Sequence, residues 1–139
     1  MPTSLAKRNT HWIGWIALFT ALSWTGEYVH NRAELPQLTV LSPENSIPAL
    51  ISLVLFIAWW ALPFTRVPAF ALLGWAVVQL VGGAISVLPL GFLPYYPAQT
   101  AQHYLLHVVY AAAQVPLIVA LLRYLTTMNQ SQDISGALR

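Results

Sequence analysis

The chain has no cysteine, one lysine and one aspartate among its 139 residues. The missing cysteine excludes disulfides, thiolate metal sites and thiol-based redox chemistry. Charge is scarce too: 7% of the residues are Lys, Arg, Asp or Glu, against roughly 25% in an average soluble domain. Beyond Lys7-Arg8 there is no basic run, so nucleic acid is not an expected partner. The lone aspartate, Asp133, rules out paired-aspartate intramembrane chemistry, and four histidines are too few for a membrane di-iron hydroxylase or desaturase. No glycine-rich phosphate loop is present.

What the chain does have is apolar sequence, 58% of the whole. It falls into four segments, about 11–30, 46–64, 67–90 and 101–125. About 20 apolar residues suffice for a helix to cross the hydrocarbon core of a bilayer. The expectation is therefore an all-α integral membrane protein, a four-transmembrane-helix bundle over 1–125 with a frayed polar tail over 126–139. Its surroundings would be the lipid bilayer, and its location the cell membrane as a multi-pass protein. Lys7, Arg8, Arg66, Arg123 and Arg139 fall on one side of such a bundle, and only Arg32 on the other. The positive-inside rule then puts both termini in the cytoplasm. The same bias argues against the dual-topology insertion of small multidrug antiporters. The first segment follows Lys7-Arg8 as a signal peptide would, but Glu27 and His30 come next with no A-x-A-like site, so it reads as a retained span.

Proline and serine mark the boundaries. Ser42-Pro43 reads as an N-cap followed by proline at the first helical position. Pro63 and Pro68 bracket a tight hairpin, and Pro89, Pro94 and Pro97 stiffen the connection before the fourth segment. Pro116 falls inside the fourth segment, where a kink is expected. Trp12, Trp15, Tyr95 and Tyr96 sit where interfacial belts form. Gly82-Gly83, with Ala76 and Ser86 nearby, offers a small-residue surface for close helix approach.

Each segment carries one polar stripe. His103, His107, Tyr110 and Gln114 recur at spacings of four, three and four, within roughly 40° of one line along a helix. Thr20, Ser23, Glu27 and His30 do the same on the first segment, as do Trp75, Gln79, Gly82 and Ser86 on the third. Asn45, Ser52 and Trp59 recur every seven residues on the second. Lipid cannot satisfy such stripes, so they must face protein or water inside the bundle.

Glu27, His30, His103 and His107 lie toward one end of the bundle and form a candidate metal set. Imidazole with carboxylate suits zinc or iron, and His30 with His107 also has the makings of a haem axial pair. His103 falls in the first turn of its helix, where the positive dipole end favours neutral imidazole. Glu44, Gln79, Tyr110 and Gln114 complete a wider ligand-binding set. Plainer roles stand beside these. Glu44 complements a helix N-terminus, Gln79 and Gln114 make interhelical hydrogen bonds, and His30 and His103 are interfacial. The leading expectation is a membrane protein that binds a small ligand or metal ion at an outward-opening Glu/His site. One alternative is an enzyme doing acid–base isomerisation or cyclisation of a lipophilic substrate, with Trp24, Trp59 or Trp75 stabilising positive charge. The other is a non-catalytic accessory subunit that packs on membrane partners through Gly82-Gly83.

Overall fold

The computed structural model describes residues 4–62, 66–89, 91 and 98–137. They form four α-helices: α1 (Ser4–Glu34), α2 (Pro43–Ala61), α3 (Val67–Gln79) and α4 (Ala101–Ala137). Beyond α3 the chain continues as a π-helical turn, Leu80–Ala84, and a 3-10 turn, Ile85–Val87. The molecule is all-helical among its described residues. Pro63, Pro94, Tyr95, Tyr96, Pro97 and Arg139 lie outside the described residues, as do the side chains of Lys7, Arg8 and Asp133.

Several boundaries differ from the sequence expectation, each for a local reason. α1 runs past residue 30 to Glu34. It ends where Leu35 meets Pro36, since a residue before proline avoids helical geometry. Ser42 does precede α2 in extended conformation, with Pro43 in the first turn. Its hydroxyl, however, accepts the Thr39 N–H at 2.9 Å and does not cap the helix. The third segment is not one regular span. Its α-helix stops at Gln79, just before Gly82-Gly83, where low helix propensity lets the turn widen.

The expected frayed tail is helical to Ala137. Extending a formed helix adds a hydrogen bond for each residue ordered, with no new nucleation cost. Thr126 and Thr127 also donate to carbonyls three residues back, each at 2.8 Å, which satisfies their hydroxyls within the helix.

The helices close into a ring in which α1 packs against α2 and α4, and α3 against the other sides of both. α1 and α4 form the most extensive interface and run antiparallel: Trp12 faces Tyr124 at one end, and His30 faces His107 toward the other. Gly26 permits this closeness, since a Cβ there would meet Ala113, and Gly83 does the same for the π-helical turn, where a Cβ would meet the Tyr110 ring of α4.

The interior is divided along its length. Ile16, Trp59, Leu72, Leu117, Leu121 and Tyr124 belong to an apolar core in one half. Ser23, Glu27, His107 and Gln114 are buried in the other. The outer surface is apolar as well, with Leu50, Leu53, Val54, Ile57, Leu105 and Val108 all exposed. By length and composition α2 and Ala101–Gln130 of α4 are able to cross a membrane. The third helix with its π-turn, Val67–Gly83, is apolar but shorter. α1 has the length, but its stripe of Thr, Ser, Glu and His dilutes its apolarity.

Candidate functional site

The polar half is built from α1 and α4, and the antiparallel register decides which side chains meet. Moving outward from the core, Ser23 meets Gln114, then His30 meets His107, then Glu34 meets His103. Ser23 Oγ donates to Gln114 Oε1, and Gln114 Nε2 returns a bond to the Ser23 carbonyl at 3.1 Å. Across the bundle Gln79 Nε2 donates to Glu27 Oε2 at 2.8 Å, joining α3 to α1. Glu27 is therefore held by an amide from α3.

Three imidazoles gather beyond this layer. The His30 and His107 ring centres are 4.3 Å apart, those of His103 and His107 4.6 Å, and those of His30 and His103 6.2 Å. The Tyr110 ring stacks on His30 at 5.6 Å and covers the cluster from the inner side. His107 is 5% and Tyr110 3% exposed, so the inner part of the cluster is closed off. His103 Nδ1 lies 2.9 Å from Glu34 Oε2. The two atoms do not form a hydrogen bond, so the contact is one of proximity. His103 Nε2 is buried and has no partner among the described residues.

A chain of amides fixes the tautomers. Asn31 Nδ2 donates to the Glu44 carbonyl at 3.3 Å and to Asn45 Oδ1 at 3.0 Å. Those two acceptors leave Oδ1 of Asn31 facing His30 Nδ1 at 3.2 Å, so Nδ1 carries the hydrogen. In neutral His30 the Nε2 atom is then an acceptor. His107 Nε2, 3.0 Å away, must be the donor. The far end of the chain is anchored where Asn45 Nδ2 donates to the Thr39 carbonyl at 2.7 Å. The two rings thus meet through one N–H···N hydrogen bond at 3.0 Å.

Of the residues expected from sequence, His30, His103, His107 and Tyr110 come together, and Gln114 sits in the layer beneath. Glu27 and Gln79 bond to each other. Glu44 is exposed in the first turn of α2, and only its backbone carbonyl joins the network. The four-residue metal set is not gathered round one point: among the described residues no group of three or more His, Cys, Asp or Glu has the arrangement to hold a metal ion. A haem between His30 and His107 is incompatible with the direct 3.0 Å contact, which leaves no gap for a porphyrin plane. Asn31, Glu34 and Asn45 were missing from the expected set. Glu34 continues the first stripe at a spacing of four from His30; ending the span at residue 30 hid it.

The fold and site define an all-helical, four-helix bundle with one apolar and one polar half. In comparisons with known proteins, no family model, curated protein or solved structure matches the chain.

Proposed function

We propose that this is a multi-pass membrane protein of the cell membrane that binds a small hydrogen-bonding ligand at the cluster of His30, His103 and His107. The observation that carries the reading is the convergence of three imidazoles from two antiparallel helices under the Tyr110 ring. Ionisable groups inside a membrane bundle are costly, and they mark ligand or proton sites far more often than packing. The exposed apolar side chains on every side of the ring support the bilayer as its surroundings. In this reading all four helices lie in the membrane with both termini cytoplasmic, and the histidine end opens outward. The buried Nε2 of His103, which has no partner among the described residues, then meets the ligand's polar atom, and the His30–His107 pair forms the wall behind it.

A metal ion is the second reading. It is favoured by one observation, the approach of two Nε2 atoms to 3.0 Å, close to the separation of two nitrogens on one ion with bonds of about 2.0–2.1 Å. Only two of the four expected ligands supply it.

Native mass spectrometry and metal analysis of protein purified from membranes test both readings. A bound small molecule or metal that disappears in His107→Ala and in His30→Ala, while Ser23→Ala keeps it, is the expected result. If His107→Ala sharply lowers thermal stability and leaves the bound species unchanged, the histidines are structural. The accessory-subunit alternative then takes first place, without its proposed Gly83 contact, because Tyr110 already covers that residue.

A further inference from the structure

A cavity of about 300 Å³, open along the outer face of the bundle where Ala21 and Leu53 are exposed, lies between α1 and α2, and none of the three clustered histidines lines it. Its room comes from small side chains: Ala17 and Ala21 on α1 face Ala49 on α2. Trp24 forms one end, held in place by donating its indole N–H to the Asn45 carbonyl at 3.1 Å. Phe56 forms the other end. No charged side chain lines the walls.

Two hydroxyls do line them, and they differ. Thr20 donates to the Ile16 carbonyl at 2.7 Å, so its hydrogen is used within its own helix. Ser52, 8% exposed, accepts the Trp75 indole N–H at 2.9 Å. A serine hydroxyl also has one hydrogen to donate, and that of Ser52 meets no acceptor among the described residues. A buried donor left without an acceptor is unfavourable, and a ligand oxygen at that point relieves it.

We propose that this cavity binds a compact, uncharged lipophile with one acceptor oxygen, of the ketone or quinone class. Ser52 donates to the oxygen, and the Trp24 and Phe56 rings flank the apolar body. The volume is at the small end of the range of small-molecule sites, roughly 300–1,000 Å³, and suits a molecule of one or two rings. A plain hydrocarbon tail fills the space but leaves the Ser52 hydrogen unanswered.

Benzophenone is a suitable probe, having two rings, one carbonyl and photoreactivity toward nearby C–H bonds. Irradiated with the full chain in detergent, it is expected to label peptides covering 17–24 and 49–56. Diphenylmethane, the same rings without the oxygen, should compete about fivefold to tenfold less well than unlabelled ketone, the factor one neutral hydrogen bond supplies. Ser52→Ala should erase that preference, and Ala49→Phe should abolish the labelling by filling the cavity. His107→Ala should leave the labelling intact, since the site is separate from the histidines. Labelling spread evenly over Leu50, Val54 and Ile57, or equal competition by the two compounds with unmodified protein, overturns the proposal. The second comparison needs no variant, so a Ser52 substitution that fails to fold does not shield it.

Discussion

Ser23 and Gln114 bond to each other twice, once through side chains and once through the Ser23 carbonyl. Gln114 is wholly buried, so an acceptor that loses its donor there has no water to turn to. Ser23→Ala removes that donor and is expected to cost about 1 kcal/mol, near the upper range of interhelical hydrogen bonds. Combined with Gln114→Leu, the total should fall short of the sum of the two single changes by about 0.5 kcal/mol or more, because both delete one interaction. Reversible unfolding in detergent measures it, and strict additivity would remove the pair from the account of the interior. The partnership of these two residues was half legible. Spacing alone put Gln114 in line with His103, His107 and Tyr110, and Ser23 in line with Glu27 and His30. What spacing does not carry is register between helices, and register is what joins Ser23 to Gln114 and Glu34 to His103. Asn31 was less visible still, and Asn45 stood on the second stripe with nothing to tie it to the histidines, because that link comes from a loop folding back over the end of α1.

The helices themselves show where a periodic pattern stops being informative. The apolar run over 67–90 has the length of a span, yet its regular α-helix ends at Gln79 and a wider turn follows. Hydrophobicity is blind to that change, whereas Gly82-Gly83 is its sequence trace. The turn places Gly83 directly against Tyr110, the residue whose ring stacks on His30. Gly83→Ala therefore forces its new methyl into the ring or drives the two elements apart. The expected loss is about 1–3 kcal/mol, the usual cost of overpacking. Tyr110→Ala in the same chain should restore part of it by clearing the space. Gly82→Ala, where a Cβ meets nothing within 4 Å, should cost less than Gly83→Ala. Thermal melts of these variants decide the matter: equal losses at the two glycines would mean that the widened turn's need for glycine, and not the Tyr110 contact, sets the cost, since alanine is the better helix former.

At the scale of the whole molecule, two halves of opposite character share one bundle, and the proposed membrane setting gives that division a direction. The apolar core around Leu72, Leu117 and Leu121 occupies the half near Arg123, while the histidines occupy the half near Arg32. With five of six basic residues assigned to one side, insertion should carry the histidine end outward. The absence of cysteine makes this directly measurable, because a single introduced thiol is the only one present. Gln37 and Ala98 are exposed beside the histidine end, and Gln130 is exposed near the other end of α4. In sealed cells an impermeant maleimide is expected to label Gln37→Cys and Ala98→Cys, and to reach Gln130→Cys only after permeabilisation. The reverse pattern would turn the histidine cluster toward the cytoplasm and change which ligands can reach it. Labelling of all three in intact cells would mean that the charge bias does not fix one orientation. Protection of Gln37 and Ala98 together, before and after permeabilisation, would show that a partner or the bilayer covers the end where the ligand is expected to enter.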